Sequence, residues 1–304
     1  MSKDSVIVVY IPDKGNFLEQ FYGLYYSVVH KTDLYKRFDF LVAAPKSVES
    51  KIPKEHCRFI EINEISRRDE FRYAYSNNSY GYVDSFAPFV DEEGIDVILD
   101  YKYCIRLDVD TFLCNGIKEL NIAPGQIYTG NAAYSSEYAQ SKLPAIMREL
   151  GLADQNIHNL GSTWFGRAED MIRQGARTVD YVNYFLKNEF TEGEGKWPRW
   201  YSGVILLYAG HVALNSSGLN ITKTRSFDYH STSSENADKF YSIHCWHTGD
   251  FFSKFAYVEG KYKDRPTQPE SMRCDEYSFH CVTEGAKLLE QNLKNESRHL
   301  YINT

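Results

Sequence analysis

The first 62 residues alternate between continuous apolar runs and a helical pattern. Residues 6–11 are a β-branched apolar run, which is typical of a strand buried on both faces. Residues 17–29 have helical apolar spacing, residues 38–44 repeat the strand pattern, and residues 58–62 are a third strand candidate. Strand, helix, strand, strand predicts an N-terminal Rossmann-like α/β half.

Downstream, the pattern continues as a mixture of strands and helices. Residues 71–94 are predicted to be mostly helical, with an interruption at 77–81. The other predicted strands are 103–107, 126–134, 163–165 and 241–246, and the other predicted helices are 141–152, 169–187, 201–214 and a polar tail from about 282. Because no repeat or linker interrupts the chain, we predict a single domain over residues 1–304.

Composition narrows the possible partners. The chain is 43% hydrophobic and 25% charged, which is ordinary for a globular protein. A net charge of −7 argues against a nucleic-acid partner, because phosphate binding requires a basic face. The high aromatic content of 15% fits sugar stacking, but it also fits ordinary core packing.

The cysteines and the N-terminal segment indicate the cellular compartment. The six cysteines form no CxxC pair, and Cys104 and Cys245 lie in apolar runs that are typical of buried free thiols. The first apolar run ends at Pro12 and is too short for a signal peptide or a membrane anchor. We therefore expect a cytoplasmic protein with no membrane span.

Asp108 and Asp110 are the strongest candidates for chemistry. They follow the apolar strand at 103–107, and the apolar run resumes at 112–113. Ligands of open α/β sheets bind at the carboxyl ends of strands, where two carboxylates at i and i+2 can share a hard divalent cation and leave positions for phosphate oxygens. The alternative is a solvated acidic turn.

Two late histidines could complete such a site. His244 and His247 lie at the end of the predicted strand 241–246, and their spacing of three places them on opposite faces if the strand continues. We predict His247, because it begins a loop, and loops carry function more often than strands do. An imidazole ligand favours Mn²⁺ over Mg²⁺.

These segments resemble the GT-A glycosyltransferases. The strand followed by Asp108-Val109-Asp110 comes after a βαβ half, and residues 159–166 before a long helix are similar to the N-x-G…F segment of several GT-A families. His247 and Lys254 resemble the late His–Gly–Lys element, although the Lys here follows the His by seven residues. More narrowly, the chain resembles cytoplasmic glycosyltransferases encoded by large DNA viruses of algae.

The resemblance implies a fold, an activity and a cofactor. The fold would be GT-A, with a mixed central sheet flanked by helices, a nucleotide-sugar half at 1–115, an acceptor half at 116–260 and a helical tail at 261–304. The activity would be hexosyl or pentosyl transfer from a UDP- or GDP-linked donor to a glycan acceptor hydroxyl. For a viral protein the compartment would be the host cytoplasm.

The same resemblance implies roles for individual residues. The metal, Mn²⁺ or Mg²⁺, would be held by Asp108, Asp110 and His247, with Lys254 touching the diphosphate. Residues expected on the donor side are Tyr10, Ile11, Pro12, Arg72, Asn78, Ser79 and Val109. Arg106 is a weaker candidate, because strand alternation is expected to turn it away from the ligand.

Aromatic and acidic residues supply the remaining candidates. Expected acceptor platforms are Trp164, Trp197, Trp200 and Tyr201, although any of these rings could instead pack in the core. The segment 191–201, with its glycines and acids, is predicted to act as a lid. Candidate catalytic carboxylates are Asp250 and Asp228, with Glu194 as a third.

Two other functions fit parts of the pattern. A haloacid-dehalogenase-like phosphatase has a similar strand followed by D-x-D-x-T, but Thr111 here follows the second Asp directly. A non-catalytic carbohydrate-binding module would keep the fold and the aromatic platforms without the chemistry. Metal-dependent binding of a nucleotide-sugar distinguishes the predicted glycosyltransferase from both.

Overall fold

A computed structural model describes residues 3–76, 78–245 and 251–302 of the chain. Its strands and helices are, in chain order, β1 (Ser5–Tyr10), α1 (Phe17–Tyr26), β2 (Phe38–Ala44), β3 (Cys57–Glu61), α2 (Glu92–Leu99), β4 (Tyr103–Arg106), β5 (Thr111–Leu113), β6 (Gln126–Asn131), α3 (Glu137–Glu149), β7 (Leu160–Arg167), α4 (Ala168–Asn188), β8 (Gly195–Lys196), β9 (Trp200–Tyr201), α5 (Ile205–Asn215), β10 (Asn220–Lys223), β11 (Tyr229–His230), β12 (Ser242–His244), α6 (Lys254–Val258) and α7 (Cys274–Ile302). Several short 3-10 turns connect them.

Seven strands form the main sheet, in the order β10-β6-β7-β4-β1-β2-β3. Strand β7 is antiparallel to both of its neighbours, β4 and β6, whereas β1, β2, β3 and β4 run parallel to one another. The carboxyl ends of the parallel strands therefore lie at one edge of the sheet, and the segment after β4 begins there.

Both faces of the main sheet are covered by helices. On β1, Val6 and Val8 face one hydrophobic core and Ile7 and Val9 face the other. The first core includes side chains of α4 and α5, and the second includes side chains of α1 and α7. A strand buried on both faces has to be apolar throughout, which explains the continuous β-branched run.

A second sheet of three short strands, β11-β12-β5, lies beside the main sheet. Strand β12 is antiparallel to β5, with Ser242 opposite Leu113 and His244 opposite Thr111, and it is parallel to β11. Helix α7 covers this sheet, and the Tyr277 hydroxyl donates a 2.6 Å hydrogen bond to the carbonyl of Leu113. The pairing of β5 with β12 joins the segment after β4 to a segment more than 100 residues later in the chain.

Most of the predicted elements are present, with shifts at their ends. The helix predicted at 201–214 begins only at Ile205, because Trp200 and Tyr201 belong to the β8–β9 hairpin. The strand predicted at 241–246 spans Ser242–His244 in the described part of the chain. The short edge strand β10 is missing from the prediction because its pattern is mostly polar.

The prediction for residues 71–94 was largely wrong. Only 92–99 are α-helical, whereas 81–89 form 3-10 turns that contain Pro88. Before them, Arg72 and Ser79 pair across a turn, and Tyr80 is buried with its hydroxyl accepting from the amide of Leu206 at 2.8 Å. The helical spacing arose from aromatic residues that pack in the core without an α-helix.

Two further predictions can be compared with the structure. Cys104 and Cys245 are buried free thiols, as predicted. Within the ranges that the structure describes, no helix combines the length and the apolar character needed to cross a membrane.

Candidate active site

The pairing of β5 with β12 brings three potential metal ligands together. Asp108 and Asp110 lie in the turn between β4 and β5, and His244 is the last residue of β12. His244 lies opposite Thr111, and the amide of Cys245 donates a 3.0 Å hydrogen bond to the carbonyl of Asp110. These backbone contacts fix the imidazole beside the two carboxylates.

The three side chains form a compact group. His244 Nε2 lies 3.2 Å from Asp110 Oδ1 and 3.8 Å from Asp108 Oδ2. One ligand atom from each residue can be chosen so that all three lie within 4.8 Å of one another, and no second group of this kind occurs in the described part of the chain. Asp110 and His244 are almost fully buried, whereas the Asp108 side chain is 34% exposed. Solvent and ligands therefore reach the group from the Asp108 side.

Strong electrostatic coupling holds this group together. Burial alone would raise the pKa of Asp110, but the adjacent His244 and Lys254 outweigh burial and hold that pKa far below its usual value. Burial would lower the pKa of His244, yet the carboxylates of Asp110 and Asp228 raise it to about 10. The Lys254 ammonium contacts Asp110 Oδ2, and despite burial the pKa of Lys254 is raised by this carboxylate. The Asp110 carboxylate therefore favours the protonated forms of both His244 and Lys254.

Arg106 fixes the first carboxylate. This buried side chain lies 2.7 Å from Asp108 Oδ1, and it donates 2.7 Å and 2.9 Å hydrogen bonds to the carbonyl of Ser162 and to Ser85 Oγ. The guanidinium leaves Asp108 Oδ2 directed toward His244. Arg106 is 2% exposed, in line with the expectation that strand alternation turns it from the ligand, but its long side chain reaches Asp108, two positions later.

Asp228 lies behind His244. Its Oδ1 is 3.4 Å from His244 Nδ1, and it accepts hydrogen bonds from the amide and the hydroxyl of Thr163. The side chain is only 1% exposed. The prediction of Asp228 as a catalytic carboxylate therefore does not agree with the structure, because a base for an acceptor hydroxyl has to touch that hydroxyl.

His247 and Asp250, predicted as a metal ligand and a catalytic carboxylate, lie outside the described residues, in the segment 246–250. Both roles stay predictions. The structure places His244, the other histidine that the pattern allowed, beside the carboxylates. Its partner strand is more than 100 residues earlier, so the local sequence pattern could name both histidines but could not choose between them.

The predicted donor residues lie in two places. Tyr10, at the end of β1, is half-buried and donates a 3.2 Å hydrogen bond to Glu64. Ile11, Pro12 and Val109 are buried, so their side chains offer little surface to a nucleotide base. Exposed residues of the turn before Tyr80 are Arg72, Asn78 and Ser79, of which Arg72 pairs with Asp69 at 3.1 Å.

Two of the predicted acceptor platforms pack against other parts of the fold. Trp164 is only 3% exposed, and its indole donates a 2.9 Å hydrogen bond to the carbonyl of Gly161. Trp200 stacks nearly parallel with both Phe190 and Tyr208, with ring centroids at 5.5 Å and 4.3 Å. The prediction for Trp164 was therefore wrong, because its indole is buried, whereas Trp200 is half-buried and the stacked rings cover much of its surface.

The other two platforms keep accessible surface. Trp197 is 43% exposed and Tyr201 is half-buried, and both lie on the β8–β9 hairpin or its turn. The amide of Ser202 donates a 2.8 Å hydrogen bond to the carbonyl of Glu194, which closes the base of the hairpin. Tyr75 connects the hairpin to the turn before Tyr80, since its hydroxyl lies 3.4 Å from Ser202 Oγ.

Solved structures that are similar to this chain include glycosyltransferases. The galactosyltransferase LgtC, in complex with donor and acceptor sugar analogs, has a TM-score of 0.51 and 12% identity over 93% of this chain and 95% of its own. A glycosyltransferase involved in the glycosylation of the major capsid of PBCV-1 has a TM-score of 0.40 and 9% identity over 81% and 95% of the two chains. Core-mannan synthase A from Aspergillus fumigatus, in its Mn/GDP form, has a TM-score of 0.43 and 11% identity over 92% and 86%.

The likeness to LgtC, together with the seven-stranded mixed sheet, shows that the fold is GT-A, as the sequence predicted. This chain belongs to the DUF7164 family, which is described as a domain of unknown function and matches residues 2–302. No curated protein sequence matches the chain.

Proposed function

We propose that this chain is a metal-dependent glycosyltransferase that moves a sugar from a nucleotide-sugar to a glycan acceptor hydroxyl. The observation that carries the proposal is the group of Asp108, Asp110 and His244 at the carboxyl end of β4. Support comes from the GT-A fold that this chain shares with LgtC. LgtC is a galactosyltransferase, and its structure is a complex with donor and acceptor sugar analogs. UDP- and GDP-linked sugars are the donor classes to test.

The residues of the group fit a divalent cation. Two carboxylates suit a hard cation, and the imidazole shifts the preference toward Mn²⁺. Asp110 Oδ1, Asp108 Oδ2 and His244 Nε2 are the atoms that would hold it. A bound divalent cation supplies positive charge that stabilises the leaving diphosphate.

Lys254 and Arg106 complete the positive charge around this site. Lys254 contacts Asp110 on the oxygen that does not face His244, so it can also reach a diphosphate that is held at the carboxylates. Arg106 is buried and bound to Asp108 and to two neighbouring oxygens. It therefore acts on the position of Asp108, and Lys254 is the candidate for direct donor contact.

The donor and acceptor would approach from the surfaces next to Asp108. Tyr10 keeps accessible surface at the end of β1, and the exposed turn with Arg72, Asn78 and Ser79 offers polar groups for the ribose or the diphosphate. Trp197 and Tyr201 on the β8–β9 hairpin are the acceptor platforms that remain. Asp250 and Glu194 stay candidates for the catalytic carboxylate.

The two alternative functions agree less well with the structure. The haloacid-dehalogenase-like phosphatase was suggested by the short motif alone, and the GT-A fold does not support it. A non-catalytic carbohydrate-binding module needs exposed rings but no buried carboxylates. Burying two charged groups as deeply as Asp110 and His244 carries a desolvation penalty of about several kcal/mol per ion before pairing, which favours a chemical role.

The proposal is tested by thermal shift with a panel of UDP- and GDP-sugars, each with and without Mn²⁺. A donor at 100 times its Kd raises the free energy of unfolding by about 2.7 kcal/mol, and we expect this shift only when Mn²⁺ is present. Asp110→Asn should abolish it, and Asp96→Asn, on the exposed side of α2, is the control that should not. Tight binding of a glycan, with no Mn²⁺-dependent shift by any donor, would instead support the carbohydrate-binding module.

A further inference from the structure

Asp228 lies in a recess of the fold directly behind His244. The Asp228 carboxylate accepts a 3.2 Å hydrogen bond from the amide of Thr163 and a 2.5 Å hydrogen bond from its hydroxyl. Its Oδ1 is also 3.4 Å from His244 Nδ1. Each carboxylate oxygen thus has a partner, as a buried charge requires.

Two glycines make this recess possible. A Cβ on Gly130 would lie 2.0 Å from Asp228 Oδ2, and a Cβ on Gly161 would lie 2.2 Å from the same oxygen. The register between β6 and β7 shifts between Thr129 and Asn131, at the same place. No side chain larger than hydrogen fits at either position while the carboxylate stays where it is.

The backbone of Asp228 is also unusual. Its φ is +53°, in the left-handed region that residues other than glycine rarely adopt. A conformation of this kind persists only where the surrounding structure imposes it. A left-handed aspartate, two glycines and an irregular strand pairing together place one carboxylate behind one imidazole.

We propose that Asp228 is a positioning residue that fixes the orientation and tautomer of His244 for metal binding. With a carboxylate at Nδ1, the proton of the neutral imidazole is held on Nδ1, and the lone pair on Nε2 faces Asp108 and Asp110. This inference rests on the proposed function, because it assumes that the group binds a divalent cation. It replaces the catalytic role that the sequence predicted for Asp228.

Asp84 offers a matched control elsewhere in the fold. This aspartate is 3% exposed, and it accepts 2.8 Å and 2.6 Å hydrogen bonds from the amide and the hydroxyl of Ser66. The pattern is the same as that between Asp228 and Thr163. Asp84 is not among the residues that could hold the cation, so Asp84→Asn removes a similar buried charge without touching the proposed role.

The experiment is isothermal titration of the full chain with Mn²⁺ alone, on wild type, Asp228→Asn, Asp84→Asn and His244→Ala. Removal of a group that orients a metal ligand typically weakens metal binding by about 10- to 100-fold, and we expect this for Asp228→Asn. Asp84→Asn should leave the Kd for Mn²⁺ unchanged. Circular dichroism and thermal unfolding establish that each variant is folded.

A double variant separates positioning from general loss of structure. If Asp228 acts only through His244, then Asp228→Asn should weaken Mn²⁺ binding in the wild-type background and have no further effect in the His244→Ala background. An equal loss in both backgrounds, or an unchanged Kd for folded Asp228→Asn, would overturn the inference.

If Asp228→Asn does not fold, the Kd for Mn²⁺ is measured on Gly130→Ala instead, because the added Cβ displaces the same carboxylate. A folded Gly130→Ala variant that binds Mn²⁺ with the same Kd as wild type would also overturn the inference.

Failure of the inference is distinguishable from failure of the proposed function. If wild type binds neither Mn²⁺ nor Mg²⁺, the metal site itself is wrong, and the role of Asp228 is wrong with it. If wild type and Asp228→Asn bind Mn²⁺ equally and His244→Ala does not, the metal site stands and only the positioning role is wrong.

Discussion

Two short-stranded additions to the main sheet bury very different side chains. The β11-β12-β5 sheet buries charge, since Asp110 and His244 are almost fully enclosed. The β8–β9 hairpin packs rings, since Trp200 is half-buried and stacks with both Phe190 and Tyr208. Buried rings stabilise a fold through packing, whereas a buried ion pair contributes little net stability after desolvation. The comparison supports the proposed chemical role of the first region, and it predicts that Trp200 in the second region contributes mainly to stability.

Trp200→Ala should have the largest effect on stability. Truncating a half-buried ring that stacks on two aromatic neighbours is expected to lower the free energy of unfolding by about 2–3 kcal/mol. Urea denaturation measures this loss. Trp197→Ala, which truncates a 43% exposed ring, should change the free energy of unfolding by less than about 0.5 kcal/mol. Equal losses for the two variants would mean that the stacked arrangement of Trp200 is wrong.

Asp110→Asn should have the largest effect on activity. Loss of a carboxylate that holds the cation is expected to reduce kcat by at least about 100-fold, which corresponds to about 2.7 kcal/mol in the activation barrier. Sugar transfer is measured at saturating Mn²⁺, with circular dichroism to establish that the variant is folded. Retention of more than about a tenth of wild-type kcat, or about 1.4 kcal/mol, would remove Asp110 from the metal site.

The pH dependence of metal binding should reveal the charge on His244. Its pKa is raised to about 10 in the metal-free chain, so the imidazole has to lose a proton before Nε2 can bind a cation. Mn²⁺ affinity should therefore rise by up to about tenfold per pH unit between pH 6 and pH 8.

The stability of the metal-free chain should show the opposite trend. A raised pKa means that His244 contributes stability that is fully present below its ordinary pKa of about 6.5 and is lost as pH rises through 10. His244→Ala should remove both trends. A pH-independent Kd for Mn²⁺ in wild type would show that His244 is not a ligand.

Arg106→Met should have a smaller effect, of about tenfold on the Kd for Mn²⁺. The substitution keeps an apolar stem and removes the group that lies 2.7 Å from Asp108 Oδ1. Arg58→Met is the matched control, because Arg58 pairs with Asp100 at 2.6 Å on the exposed surface. Similar effects of the two substitutions on Mn²⁺ binding would show that Arg106 does not position Asp108.

The sequence was sufficient where the signal was local. The strand at 38–44 was predicted with its observed bounds, because a mostly apolar run that stops at a proline needs no tertiary information. Asp108 and Asp110 were identified in the same way, from two carboxylates that directly follow a buried strand. The order of such elements predicted a Rossmann-like α/β half, and the resemblance of the motifs to glycosyltransferases implied the GT-A fold.

The sequence was not sufficient where the role depends on a distant partner. His244 lies beside Asp110 only because β12 pairs with β5, and strand pairing across that separation leaves no periodic signal. The position of Asp228 depends on the recess at Gly130 and Gly161. Trp197 and Trp200 are equivalent in the sequence, and only the packed structure shows which of the two rings is covered.

The most direct test of the account is release of the nucleotide from a nucleotide-sugar in the absence of any acceptor. The cation would activate the leaving diphosphate whatever the nucleophile, so water can attack slowly at the anomeric carbon. We predict that wild type releases UDP or GDP from at least one donor when Mn²⁺ is present. EDTA, Asp110→Asn and His244→Ala should each stop the release. Nucleotide release that persists at the wild-type rate in EDTA or in folded Asp110→Asn would contradict the central claim.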